Sequence, residues 1–201
     1  YGWTNVDQSN WRENESINIP NILSLLRIIL TPLFIIFLFS EFYNAKLFSL
    51  FIFIIAAITD GYDGYLARKY NQITPEGKFL DPLADKVLVL SAFIAFAYIG
   101  IIDFWMVSII IFRDLFVTGL RIIMSSKGFS FITTKISKYK TAFQLTIIII
   151  TLIFISADDM HMNSLLPLVN FIKDFNIIYC LTFLMTVFTA YTGINYVYMN
   201  R

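Results

Sequence analysis

Four aspartates in one short stretch are the residues of this chain best suited to chemistry. The stretch DGYDGYLARKYNQITPEGKFLDPLADK runs from residue 60 to residue 86 and contains Asp60, Asp63, Asp81 and Asp85. The first two are three residues apart and the last two are four apart, so each pair lies on one face if its segment is helical. The spacing therefore predicts two helices, each with a pair of carboxylates, and a short turn that lets the pairs face each other.

Carboxylates that converge at low dielectric repel one another and lose hydration, and a divalent cation removes that penalty. Oxygen ligands without histidine or cysteine beside them favour Mg²⁺ or Mn²⁺ over Zn²⁺. Such ions usually bind together with substrate phosphates, and two of them about 4 Å apart can clamp a phosphoryl group during displacement. The aspartates thus predict a metal site that acts on a phosphate.

Small residues and one arginine accompany the aspartates. Gly61, Gly64, Ala67 and Gly77 leave a smooth wall that a flat ligand or a backbone can approach closely. Arg68 follows directly and is suited to a bidentate contact with a phosphate. The alternative is that the stretch is only a charged turn between two helices, although such a turn rarely carries four acids at paired helical spacing.

The composition places this stretch beside a membrane. Hydrophobic residues make up 58% of the 201 residues and charged residues only 14%, whereas about a quarter of a soluble domain is charged. The mean hydropathy is +0.71. The apolar residues fall in long runs, as helices of about 20 residues require to cross a hydrocarbon core of roughly 30 Å. We therefore predict an all-α integral membrane protein.

Six apolar segments predict six transmembrane helices in one domain of residues 17–201. Pro20 suits the start of the first helix, and Asp81 with Pro82 resembles an N-cap and first position of the third. Residues 1–16 form a polar N-terminal segment to which we assign no role. The predicted segments are 22–39, 45–67, 82–100, 104–124, 141–156 and 176–199.

Basic residues predict the orientation, because Lys and Arg are enriched on the cytoplasmic side. With a cytoplasmic N-terminus, the outer loops contain only Lys46 and Lys173, and Arg113 lies inside a helix. Both termini and the aspartate stretch are then cytoplasmic. The inner regions contain Arg12, Arg27, Arg68, Lys69, Lys78, Lys86, Arg121, Lys127, Lys135, Lys138, Lys140 and Arg201.

The pattern Asp60-x2-Asp63-Gly64-x2-Ala67-Arg68-x8-Gly77-x3-Asp81-x3-Asp85 resembles the complete signature of the CDP-alcohol phosphatidyltransferases, with every fixed position met. The resemblance implies a six-helix membrane enzyme, usually a homodimer. Such an enzyme moves a phosphatidyl group from CDP-diacylglycerol to an alcohol and releases CMP.

The resemblance also implies a role for each signature residue. Asp85 is then the general base that takes the proton of the acceptor hydroxyl. The metal ions, Mg²⁺ or Mn²⁺ and two in number, hold the pyrophosphate of CDP-diacylglycerol. The implied metal ligands are Asp60, Asp63 and Asp81, and the implied CDP-binding residues are Gly64, Ala67, Arg68 and Gly77.

The acceptor alcohol is indicated by other segments. NIPNILSLLRIILTPLF, GKFLDPLADKVLV, FRDLFVTGLR and KISKYKTAFQ are similar to the branch of the family that uses sn-glycerol 3-phosphate, the phosphatidylglycerophosphate synthases. Charged residues inside a membrane helix are costly and usually functional. We expect Lys135, Lys138 and Lys140 to form a basic cluster at the cytoplasmic membrane surface that binds the acceptor phosphate. The residues assigned to that phosphate are Arg113, Arg121, Lys135, Lys138 and Lys140.

Several alternatives stay open. The lysines are also explained as topology signals or contacts to anionic lipid, Arg113 with Asp114 as a structural ion pair, and Gln144 as a polar helix contact. Arg27 either snorkels to the interface or reaches the lipid phosphate. The acceptor could instead be serine, inositol phosphate or phosphatidylglycerol. A cation transporter or a non-catalytic scaffold are the competing classes.

The sequence thus predicts a multi-pass enzyme of the bacterial cytoplasmic (inner) membrane whose active site faces the cytoplasm. Its expected partners are CDP-diacylglycerol, sn-glycerol 3-phosphate, membrane lipids and a second copy of the chain, with no nucleic acid. The expected reaction gives phosphatidylglycerophosphate and CMP.

Overall fold

A computed structural model describes residues 19–70, 77–126, 135–160 and 166–199. All regular secondary structure in these ranges is helical, which confirms the predicted all-α class. The helices are α1 (Ile19–Phe39), α2 (Ala45–Tyr70), α3 (Gly77–Ile99), α4 (Phe104–Ser126), α5 (Lys135–Asp159), α6 (Leu166–Asp174) and α7 (Ile177–Met199). Residues 1–16, to which no role was assigned, lie outside the described ranges.

The six long helices coincide with the six predicted apolar segments, but three of them extend further into polar sequence. α2 continues to Tyr70, and α5 begins at Lys135. α3 begins at Gly77, so the predicted N-cap at Asp81 is wrong, because Asp81 lies in the second turn of the helix. Hydropathy marks only the part of a helix that suits lipid, whereas the i to i−4 hydrogen bonds of the backbone continue beyond it. A proline such as Pro82, close to a helix start, removes a single hydrogen bond.

Between α5 and α7 the structure contains a short helix that the sequence analysis did not predict. α6 has nine residues and buries Val169. The turn from α6 to α7 contains Asn176 at a φ of 47°, and the turn before α2 contains Asn44 at a φ of 62°. Asparagine tolerates this left-handed region better than most residues. The two asparagines thus allow abrupt reversals of the chain.

Three helices form what we call the apolar block, α1 with α2 and α3. α1 packs extensively against both of the other helices. The rings of Phe34 and Phe53 are 5.5 Å apart between centroids, and both side chains are fully buried. The Ser49 hydroxyl donates a hydrogen bond of 3.2 Å to the Phe34 carbonyl. Close packing therefore holds α2 and α3, the two helices that carry the aspartates, against a common partner.

The other three long helices are α4, α5 and α7. α4 packs against α3 and α7, and α5 packs against α2 and α7. Within the described residues the backbones of α4 and α5 do not pack against each other. α3 and α7 each pack against both helices, and side chains of α5 reach Asp114 of α4.

The distribution of polarity is that of a membrane protein. Ile36, Phe112 and Ile194 are 64%, 70% and 73% exposed, whereas Arg27 and Asp114 are each 1% exposed. Exposed apolar residues over several helices indicate a lipid-facing surface. Two helical segments, Tyr139–Asp159 and Ile177–Tyr198, are long and apolar enough to span a bilayer by length and composition.

Candidate functional site

The four aspartates lie on the two helices of the apolar block that α1 holds together. Asp60 and Asp63 are one turn apart in α2, and Asp81 and Asp85 are one turn apart in α3. The predicted helical placement of both pairs is thereby confirmed. Their side chains lie outside the described residues, as do those of Gly64, Ala67, Arg68 and Gly77, so the predicted convergence of the carboxylates stays a prediction.

A second group of charged residues lies between α4 and α5, and we call it the polar junction. Its members are Arg113 and Asp114 of α4 and Lys140 and Gln144 of α5. The Lys140 ammonium and the Arg113 Nη1 both donate to Oδ1 of Asp114, the latter at 3.2 Å. Gln144 Nε2 donates to Oδ2 of the same carboxylate at 3.1 Å. One carboxylate thus binds side chains of both helices.

The residues of the polar junction are largely buried, so their charges have lost most of their hydration. Asp114 and Lys140 are each 1% exposed, and Gln144 is fully buried. A buried charge is tolerated only when it is paired and hydrogen-bonded. Among the described side chains, Asp114 meets that condition with three donors, whereas Arg113 and Lys140 share this one anion. The four residues of the polar junction therefore sum to a net positive charge.

Two buried polar atoms of the junction have no hydrogen-bond partner among the described residues. They are Nε of Arg113 and Oε1 of Gln144. The positive charge of Lys86, one residue after Asp85 in α3, also acts on Asp114 and Lys140. Excess positive charge and an unused N–H donor suit an anionic ligand. Through Lys86 the junction also lies within electrostatic range of the helix that carries Asp85.

Of the five basic residues that the sequence assigned to the acceptor phosphate, the structure describes the side chains of Arg113 and Lys140. Lys140 is buried and bound to Asp114, so its side chain lies inside the helix bundle and not on the outer surface of the protein. The reason is its register, since Lys140 lies one turn before the buried Gln144 on the inner face of α5. Arg121 lies in α4, and Lys135 and Lys138 lie in the first turns of α5, but their side chains are outside the described residues.

Three open alternatives can be compared with these contacts. Arg113 forms an ion pair with Asp114, and Gln144 makes a polar contact between helices; both contacts are compatible with a role in acceptor binding. Arg27 is buried inside the bundle at 1% exposure and not extended along the lipid-facing surface. The pairing of Asp114 with Lys140 was missed, although an acid inside an apolar helix signals that a partner must exist.

The comparison with protein families identifies the class. A family model described as CDP-alcohol phosphatidyltransferase matches residues 17–187. The chain belongs to this family, as its aspartate pattern predicted.

Individual relatives point in the same direction. A protein of Wigglesworthia glossinidia brevipalpis is 38% identical in an alignment of 174 positions that covers 80% of this chain and 94% of the relative. A Bacillus subtilis protein is 41% identical over 64% of this chain and 72% of its own length. A Cereibacter sphaeroides protein is 36% identical over 74% of this chain and 68% of its own. Each is named CDP-diacylglycerol–glycerol-3-phosphate 3-phosphatidyltransferase.

Proposed function

We propose that this protein transfers the phosphatidyl group of CDP-diacylglycerol to sn-glycerol 3-phosphate, giving phosphatidylglycerophosphate and CMP. The observation that carries the acceptor assignment is the net positive, buried polar junction between α4 and α5. A neutral alcohol such as serine would not need it. Family membership and the names of the relatives support the same reaction.

The carboxylates of α2 and α3 are suited to the metal that such a transfer needs. The signature offers oxygen ligands only, which fits Mg²⁺ or Mn²⁺. Among the described side chains no group of three or more His, Cys, Asp or Glu could hold a metal, so the proposal rests on the aspartates. Asp60, Asp63 and Asp81 would hold two ions. The ions would neutralise charge on the pyrophosphate and improve CMP as a leaving group.

Asp85 is the proposed general base. It takes the proton from the hydroxyl of glycerol 3-phosphate, and the hydroxyl oxygen forms the new bond to the phosphorus of the phosphatidyl group. The bond from that phosphorus to the CMP oxygen breaks at the same time. No covalent enzyme intermediate is needed. Gly64, Ala67 and Gly77 would line the cytidine site, and Arg68 would bind its phosphates.

We assign binding of the acceptor phosphate to the basic residues of α4 and α5. Arg113 has an unused buried N–H within the described structure, and Lys140 adds charge while paired with Asp114. Arg121 lies two turns beyond Asp114 in α4, and Lys135 and Lys138 begin α5. We propose that these residues surround the phosphate.

The membrane arrangement follows from the apolar helices and the Lys and Arg distribution. The six long helices are proposed to cross the bacterial cytoplasmic membrane, with α6 at its outer surface and both termini in the cytoplasm. The aspartate ends of α2 and α3 then face the cytoplasm, where water-soluble glycerol 3-phosphate is present. We propose a homodimer, on the family resemblance alone.

The test is CMP release by the purified protein in detergent with CDP-diacylglycerol and Mg²⁺ or Mn²⁺. Glycerol 3-phosphate, serine, inositol phosphate and phosphatidylglycerol are offered in parallel. We expect release only with glycerol 3-phosphate, and none after chelation of the metal. Release with another acceptor alone would overturn the acceptor assignment and leave the family chemistry intact.

A matched pair of variants tests the base. Asp85→Asn should lower the rate by roughly 10²- to 10⁴-fold, the usual contribution of a general base. Asp158→Asn is the control, because Asp158 is a 41% exposed side chain paired with Lys173 and should leave the rate unchanged. An equal loss in both variants would contradict the role of Asp85.

A further inference from the structure

Gly193 of α7 lies directly against the side chain of Arg113 of α4. A Cβ atom added at Gly193 would lie 2.8 Å from Cγ of Arg113, 3.7 Å from its Nε and 3.8 Å from its Cδ. The first distance is shorter than real carbon contacts allow. Any residue other than glycine at this position would therefore displace Arg113.

The displaced atom matters because Cγ lies near the root of the arginine side chain. Moving Cγ moves everything beyond it, including Nη1, which donates to Asp114 at 3.2 Å. It also moves the buried Nε, which has no partner among the described residues. A displacement of Cγ by a few tenths of an ångström therefore also displaces the guanidinium group of Arg113.

The surrounding face of α7 is buried and contains polar groups. Thr189 lies four residues before Gly193 and Tyr196 three residues after it, and both are buried. Positions three and four apart share a helical face, so Gly193 belongs to the interior face of α7. α7 packs against both α4 and α5, the two helices of the polar junction.

We propose that Gly193 is a positioning residue for the acceptor: it leaves the space in which Arg113 is held so that its guanidinium meets the acceptor phosphate. The proposal rests on the proposed function, in which Arg113 binds the phosphate of sn-glycerol 3-phosphate. It assigns α7, which contains none of the signature residues, a part in acceptor recognition.

The decisive variant is Gly193→Ala, measured by CMP release with varied glycerol 3-phosphate and then with varied CDP-diacylglycerol. We expect the KM for glycerol 3-phosphate to rise roughly tenfold, since displacements below 1 Å in a binding group have effects of this order. The KM for CDP-diacylglycerol should stay within about twofold. A role only in helix packing would lower thermal stability without this split between the two substrates.

Gly119→Ala is the matched control. Gly119 is also a helical glycine, in α4, and a Cβ there meets no atom of the described residues within 4 Å. The same methyl group is added, so we expect both KM values to be unchanged. Equal KM values for glycerol 3-phosphate in the two alanine variants, with the wild type active, would overturn the inference and leave the proposed function standing.

A double variant tests whether Gly193 acts through Arg113. In an Arg113→Ala background, which lacks the Cγ atom, Gly193→Ala should raise the KM for glycerol 3-phosphate no further. An additional rise, or no effect of Arg113→Ala itself, would overturn the inference. Absence of CMP release by the wild type with glycerol 3-phosphate is a different result, which overturns the proposed function.

Folding is monitored by the thermal unfolding midpoint in detergent. If Gly193→Ala alone does not fold, the double variant decides, because Arg113→Ala removes the atom with which the methyl group collides. Recovery of a folded double variant with the KM of Arg113→Ala supports the inference. Failure to fold in both variants shows that the collision is not with Arg113 and overturns it.

Discussion

The apolar block and the polar junction hold their helices together by opposite means. In the block, α1 packs closely on α2 and α3, with rings such as Phe34 and Phe53 interleaved. In the junction, α4 and α5 do not pack backbone against backbone in the described residues, and the Asp114 carboxylate links them. Lipid is as apolar as a leucine side chain, so helices in a membrane associate through packing and polar contacts. The apolar block is held together by packing, and the polar junction is held together by polar contacts.

The contrast teaches how the two parts of a transferase site can be supported separately. The helices that carry the aspartates must hold their geometry, which tight packing provides. The polar junction, which we propose as the acceptor side, must keep positive charge in a low dielectric, and a hydrogen-bonded counterion such as Asp114 stabilises that charge. Damage to the block should therefore change stability, and damage to the junction should change stability and acceptor binding together.

The largest expected effect is that of Asp114→Ala. It leaves the buried Lys140 and the partly buried Arg113 without their anion, which costs about 3 to 5 kcal/mol. The KM for glycerol 3-phosphate should also rise, because Asp114 no longer positions the two cations. The measurements are the unfolding midpoint in detergent and the kinetics with varied acceptor.

Lys140→Met provides the comparison for this variant. It leaves Asp114 paired with Arg113 and bound to Gln144, so its loss of stability should be smaller than that of Asp114→Ala. The reverse order would mean that Asp114 is not the centre of the junction.

Phe53→Ala should show the opposite behaviour of the apolar block. Phe53 is fully buried against Phe34. Because lipid replaces water as the reference, mainly the packing and cavity part of the usual penalty applies, and we expect about 1 to 3 kcal/mol. The free energy of unfolding in mixed micelles should fall while the KM for glycerol 3-phosphate stays constant. A raised KM for glycerol 3-phosphate would contradict the proposal that the apolar block affects stability alone.

A smaller effect is expected for Gln144→Leu. The change removes the 3.1 Å hydrogen bond to Oδ2 of Asp114 and leaves both cations in place. Interhelical hydrogen bonds in membranes contribute about 0.6 kcal/mol on average. If that energy is lost from acceptor binding, the KM for glycerol 3-phosphate should rise about two- to threefold. A loss as large as that of Asp114→Ala would show that the amide, and not the charge, organises the junction.

The smallest effect is expected outside both regions. Asp158 and Lys173 form an ion pair of 2.6 Å between side chains that are 41% and 49% exposed. Exposed pairs contribute about 0 to 1 kcal/mol. The double variant Asp158→Ala with Lys173→Ala should therefore keep its rate of CMP release and its unfolding midpoint. A clear loss of activity would extend the functional region to the α5–α6 connection.

Local patterns predicted most of the fold. Long apolar runs predicted the six long helices, because crossing a bilayer requires such runs. The polar extensions of α2, α3 and α5 were missed, since hydropathy reports the environment of a helix and not its hydrogen bonding. α6 was missed because nine residues with one buried side chain make a weak pattern.

The sequence by itself determined the family and the aspartate pairs, because a spacing of three or four residues places side chains on one helical face whatever surrounds the helix. It also marked Asp114 as a residue in need of a partner. Only the tertiary structure decided that the partner is Lys140, 26 residues away, and that Gly193 of α7 lies against Arg113. Such contacts depend on which helices become neighbours, and that is set by the packing of the whole bundle.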